Sequence, residues 1–177
     1  MKKIVFAAIG IATITAFGCK KIQELTEFDI PLNTSFTVPA QIPSTPLPDI
    51  QTPGIQTNIQ KTFESNGTAK DLIDEVTLKE MKLVVNTPTM GTLNFLKSAK
   101  IYINAKGMSE ALLSSRDSIP RDVNTIDFTP SKANLTNYIT KDSFSLRIQV
   151  VTRELTTNEI KLDVKTKFHV NAKILGQ

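Results

Sequence analysis

The stretch Ile160-Lys161-Leu162-Asp163-Val164-Lys165-Thr166-Lys167-Phe168-His169-Val170-Asn171-Ala172-Lys173-Ile174 decides the fold class. Its even-numbered positions are apolar except for Thr166. Its odd-numbered positions carry Lys, Asp, His or Asn and no apolar side chain. Successive side chains of a strand point to opposite faces, whereas a helix would spread these residues around its axis. The stretch is therefore read as an antiparallel strand with one buried face.

The same period of two recurs upstream. Phe28, Ile30, Leu32, Thr34, Phe36 and Val38 alternate with polar neighbours, and Pro31 and Pro39, which lack an N–H, mark this as an edge strand or a short one. Pro39, Pro43, Pro46, Pro48 and Pro53, followed by Gly54, favour extended backbone and forbid helix. Beyond them Ile55, Ile59 and Phe63 share a parity, and Ser65-Asn66-Gly67 turns the chain. Thr68-Ala69-Lys70-Asp71 has capping-box spacing, which predicts a helical turn over 70–75. Val76 and Leu78 lie on one parity but Met81, Leu83 and Val85 on the other, so a β-bulge is placed near Lys79-Glu80.

Further strands are expected at Ala99–Ala105, Glu110–Arg116, Ile126–Phe128 and Phe144–Val150. Turns are expected at Lys106-Gly107 and around Gly91, and a brief helical turn over Asn134–Ile139. Thr156-Thr157-Asn158 is expected to join the last two strands as a hairpin. Many short strands without a long amphipathic helix predict an all-β fold, an antiparallel immunoglobulin-like β-sandwich of about seven to eight strands. The organisation that follows is a signal peptide over 1–18, a lipidated N-terminus over 19–25 and an early strand over 26–38. A Pro-rich linker or loop over 39–54 and the β-sandwich domain over 55–177 complete it.

The leader sets the address. Lys2 and Lys3 precede a run from Ile4 to Gly18 without a charge. As a helix that run spans about 22 Å, short of the roughly 30 Å hydrocarbon core, so it fits a signal peptide better than a membrane span. The one cysteine of the chain, Cys19, follows at once. Ala16-Phe17-Gly18-Cys19 resembles the lipobox of bacterial lipoproteins, with Ala16 and Phe17 departing from its usual residues. That resemblance implies cleavage before Cys19, its acylation with palmitate-type chains, and membrane lipid as the first partner. A plain secretory signal would leave Cys19 a free thiol. A lone cysteine allows no intramolecular disulfide, so stability rests on packing.

From Ser65 onward the chain is similar to small lipoproteins of Bacteroidetes-type bacteria. Asn94-Phe95-Leu96-Lys97-Ser98-Ala99-Lys100-Ile101-Tyr102-Ile103 and Asp142-Ser143-Phe144-Ser145-Leu146-Arg147 carry the likeness. That group brings no activity to transfer. Lys20-Lys21-Ile22-Gln23-Glu24 lacks the acidic cluster such lipoproteins show when exported to the cell surface, which implies an outer membrane location facing the periplasm. Asp117-Ser118-Ile119 resembles a short O-glycosylation signal of the same bacteria, making Ser118 a candidate site; Asp142-Ser143-Phe144 matches it loosely.

Composition excludes more than it selects. Without Lys2 and Lys3, 19 basic residues face 17 acidic ones, a net of +2, which is no footprint for nucleic acid. His169, the single histidine, sits on the polar parity of the last strand without nucleophile or metal-ligand partners, and is read as solvated. Asp71, Asp74 and Glu75 are clustered, but as cap and dipole partners of the expected helical turn rather than as paired catalytic carboxylates. The seven glycines form no phosphate loop, and no Asp/Asn run has calcium-loop spacing. Lys161, Lys165, Lys167 and Lys173 share one strand face and read as a solvated stripe. No catalytic, cofactor or metal residue is assigned. The expected role is a non-enzymatic envelope lipoprotein whose sandwich binds or scaffolds an envelope protein. The alternatives are a surface-polymer subunit built by strand exchange through 26–38, or a lipid- or sugar-binding module.

Overall fold

The structure, a computed structural model, describes residues 27–40 and 47–173. The expected signal peptide, the lipidated segment with Cys19, and 41–46 of the Pro-rich segment lie outside these residues. The described residues contain ten strands: β1 (Glu27–Val38), β2 (Ile50–Gln51), β3 (Ile55–Gln56), β4 (Ile73–Thr87), β5 (Leu96–Asn104), β6 (Ala111–Arg116), β7 (Thr125–Asp127), β8 (Thr129–Pro130), β9 (Ser143–Thr152) and β10 (Ile160–Ala172). They also contain two short helices, α1 (Ile59–Ser65) and α2 (Thr136–Ile139), and a 3₁₀ turn at Lys70–Leu72.

The strands form two antiparallel sheets, the expected all-β sandwich. One sheet has the order β1-β10-β4-β7; the other has β2-β9-β5-β6-β8, with β3 also on β9. β2 and β3 pair with different parts of β9, so they act as one interrupted strand. β7 pairs with β4 and β8 with β6, so together they are one strand that changes sheets at the buried Phe128. Counted this way there are eight strands, in agreement with the expected seven to eight. Their pairings (first with last, second with seventh, third with sixth, fourth with fifth) are those of a long hairpin rolled into two sheets, the jelly-roll order. Alternation reveals which face of a strand is buried but not which strand lies beside it. The immunoglobulin-like label is refined to this order for that reason.

β10 has the form its sequence dictates. Leu162, Val164, Thr166, Phe168, Val170 and Ala172 are buried, and Phe168 meets Phe144 of the facing sheet edge-on, with ring centroids 6.1 Å apart. Fully burying each large apolar side chain contributes about 1.5–3 kcal/mol. Thr166, the break in the pattern, is satisfied: its hydroxyl donates to the Leu32 carbonyl, and its N–H donates to Asn33 Oδ1 at 3.2 Å. The bulge expected near Lys79-Glu80 is present, since Lys167 pairs with Glu80 and Phe168 with Leu78, leaving Lys79 over. Gly67 and Gly107 stand at positive φ in their expected turns.

Five expectations change. β1 pairs with β10 over all twelve of its residues and buries Ile30, Phe36 and Val38, so the early strand is an integral edge of the sandwich. Part of the Pro-rich segment also belongs to it, because β2 lies on β9 and Thr52 is buried, its hydroxyl accepting from the Leu146 N–H at 2.9 Å. Ile59 and Phe63 are on a helix, not a strand: residues four apart satisfy both periods, and α1 buries the two together. The helical turn after Thr68 is only the 3₁₀ turn, with Ala69 at its N-cap and no side-chain cap, so Asp74 and Glu75 lie on β4 instead. The last two long strands form no hairpin, because β9 and β10 belong to opposite sheets and residues 153–159 cross between them.

Candidate functional site

The outer face of the β1-β10-β4 sheet is a lattice of cross-strand ion pairs. Lys79 reaches Asp29 at 2.7 Å, Lys167 reaches Glu80 at 2.9 Å, Lys82 reaches Asp127 at 3.3 Å and Lys173 reaches Asp74 at 3.2 Å. The expected lysine stripe is thus half neutralised by acids of β4. His169 lies on this face as its parity requires, but it is partnered rather than simply solvated. Its Nδ1 is 3.0 Å from Asp29 Oδ1 and its Nε2 is 3.8 Å from Glu27 Oε2. The two carboxylates approach opposite ring nitrogens and do not converge on a point where a cation would sit. Burial pushes the Asp29 carboxyl up, but hydrogen bonds from Lys79 and His169 outweigh it and hold its pKa below the ordinary value.

The opposite outer face gathers its charge around one side chain. Arg147 on β9 bonds Glu110 through Nε at 2.7 Å and Nη2 at 2.6 Å, bonds Asp49 through Nη1, and lies 4.2 Å over the centre of the Tyr102 ring. Tyr102 is its cross-strand neighbour on β5. The forked guanidinium suits this two-oxygen grip, and its flat face suits the ring. Glu110 is held below the usual carboxylate range by that bond, and Arg147 is raised by it. Sequence reading missed this group. Its members are separated by 37 and 98 residues, and the pairings of β9 with β2 and β5, and of β5 with β6, bring them together. The cluster fastens the end of the Pro-rich segment and the start of β6 to the sheet, with all three guanidinium nitrogens engaged by Glu110 and Asp49.

Two shallow depressions accompany these faces. One, of about 320 Å³, lies beside α1 and is lined by Thr57, Asn58, Lys61, Lys70 and Asp142. The other, of about 260 Å³, lies at the end of the sandwich farthest from Glu27, between the loop after β4 and the crossing before β10. Pro88, Phe95, Leu155 and Ile160 supply its apolar lining. Gly91 lies beside it; a Cβ there would come within 2.9 Å of the Pro88 carbonyl oxygen, so the tight turn needs glycine. Next to it Met90 is 94% exposed and Leu155 50% exposed. Ser118 stands exposed in the loop after β6, next to the buried Ile119, whereas Ser143 is half-buried in β9 opposite Gln56. Access therefore separates the two serines in favour of Ser118.

Among the described residues no three His, Cys, Asp or Glu side chains are placed to hold a metal ion, and no helix is long and apolar enough to cross a membrane. No family model and no curated protein matches the chain. Among solved structures it is similar to a chain titled Desmodium yellow mottle tymovirus, at 13% identity over 85% of both chains with a TM-score of 0.26, a level of likeness that carries no argument.

Proposed function

We propose that this protein is a lipid-anchored, non-enzymatic lipoprotein of the bacterial envelope, most naturally of the outer membrane facing the periplasm, whose sandwich binds or scaffolds a partner protein. The observation that carries the reading is the unique Cys19 directly after fifteen uncharged residues. Glu27, where β1 begins, lies eight residues beyond it, a tether of at most about 29 Å. Two acyl chains hold a protein stably on a membrane, and a short tether raises the effective concentration of even a weak interface there.

The surface offered to the partner is the end of the sandwich opposite Glu27, where Met90 and Leu155 stand exposed beside a largely apolar depression whose one charged lining residue, Glu154, is paired with Arg121 at 3.5 Å. Both sheet faces, by contrast, have most of their charge paired internally. Strand exchange loses its motive, because β1 is paired along its whole length within its own chain. Sugar binding finds no aromatic platform in a chain without Trp.

Metabolic labelling with a palmitate analogue tests the anchor: the wild-type protein takes up label and Cys19→Ser does not. An unlabelled wild-type protein sinks the anchored reading. Crosslinking in native envelopes tests the scaffold, where a discrete heteromeric band that weakens in Met90→Glu is the expected result. An open ladder of self-crosslinks would replace it with the polymer reading.

A further inference from the structure

The margins of a sheet present unpaired backbone groups, and folds blunt them with very short strands, charges, prolines or covering segments. Three of the four margins here follow that rule. β2, β3, β7 and β8 are two or three residues long. Beyond β7 the edge of β4 is capped: Val76 donates to the Thr136 hydroxyl at 2.9 Å and accepts from the Leu135 N–H at 2.7 Å. β1 is the exception, at twelve residues with a strand on one side only among the described residues.

β1 is itself divided. Glu27, Asp29 and Pro31 protect its first half. Leu32-Asn33-Thr34-Ser35-Phe36-Thr37-Val38 holds no charge and no proline, and is rich in strand formers. The Leu32 carbonyl points at β10, where the Thr166 hydroxyl reaches it, so even-numbered backbone groups face β10 and odd-numbered ones face away. Pro31 thus turns its missing N–H outward. The N–H and C=O of Asn33, Ser35 and Thr37 point outward too, and have no partner among the described residues.

We propose that this margin docks on a second copy of the chain, β1 against β1 in antiparallel register about a two-fold axis at Ser35. The window is symmetric about that residue: Pro31 and Pro39 lie four positions either side and close the ladder at both ends, since neither can donate. Within it Asn33 faces Thr37 of the partner subunit and Ser35 faces the partner's Ser35, giving about six backbone hydrogen bonds with no like charges opposed. Apolar Leu32 and Val38 fall opposite one another across the axis, extending the buried layer. The contact is isologous and closes at two, so it forms dimers, not fibres. Chains joined in this way send their tethers out at opposite ends of the joint sheet, and both reach one membrane when that sheet lies along it.

The test is oxidative crosslinking of the full-length Ser35→Cys protein in its native membranes, with linked peptides mapped by mass spectrometry. The expected product is a dimer linked through the two substituted positions, with none from Asn104→Cys, an exposed position at the other end of the molecule. Mapping separates this bond from any made by Cys19, so the outcome does not depend on the anchor. A mixed disulfide with another protein at position 35, or no link there, overturns the proposal. In sedimentation equilibrium of the purified protein, Ser35→Lys, which sets two ammonium groups face to face on the axis, should weaken self-association about tenfold at an unchanged melting temperature. Association that is unaffected by this substitution also overturns it.

Discussion

The two outer faces of the sandwich are held in different ways. On the β1-β10-β4 sheet the charges stand in exposed pairs, with Asp29 shared between Lys79 and His169, between strands that a long hydrogen-bonded ladder and a buried face already join. The lysines of these pairs keep 40–67% of their side chains exposed. On the other sheet Arg147 is 20% exposed and joins pieces that lack long strands of their own, the residues around Asp49 and the start of β6 at Glu110. Charge decorates the first sheet and fastens the second. Salt screens exposed pairs strongly and covered ones less, which makes the contrast measurable.

The largest expected effect is on the ladder side. Phe168→Ala removes a fully buried ring stacked edge-on against Phe144, and should cost about 3–5 kcal/mol of unfolding free energy in denaturant titration. A loss below about 1 kcal/mol would mean that β10 is not the spine of the core. The next effect compares the faces directly. Arg147→Ala should lower the melting temperature measurably, and should do so as much in 1 M as in 0.1 M NaCl, to within about a degree. Lys167→Ala, whose pair with Glu80 is exposed, should barely move it at either salt concentration. If Arg147→Ala becomes silent in high salt, the two faces do not differ in kind.

What the sequence displays follows the same division. β10 is legible because a face apolar but for Thr166 meets one without an apolar residue, and the bulge at Lys79 is legible because a parity change has few other causes. Ile59 and Phe63 were ambiguous, since a four-residue spacing serves helix and strand alike. The crossing after β9 was hidden because Phe144–Val150 and Ile160–Ala172 would show the same alternation in one sheet or in two. The Arg147 group had no local signal at all. Neither Asp49 nor Glu110 is near it in the chain, and a single arginine on a polar parity looks like any solvated residue. Cys19, outside the described residues, is singled out by the sequence alone, as the one cysteine and directly after fifteen uncharged residues.

The smallest expected effect lies in acid, and its sign is fixed by the two depressed carboxylates. Glu110 is lowered by its bond to Arg147, and Asp29 by Lys79 and His169 against the opposing effect of burial. In both cases the unfolded chain binds the proton more readily, so unfolding free energy rises with pH across the window in which they titrate. Their contribution is complete above the ordinary carboxylate range, near about 4, and disappears as pH falls through the lower values of the folded protein. Denaturant titrations at pH 7, 5 and 3 should therefore show most of this loss in the last step. Arg147→Ala should flatten that last step by releasing Glu110 to an ordinary value, while Asp29, on the other sheet, keeps its share. A slope that Arg147→Ala leaves untouched would place the acid sensitivity entirely on the β1-β10-β4 face, and the fastening assigned to Arg147 would then reduce to its contact with the Tyr102 ring.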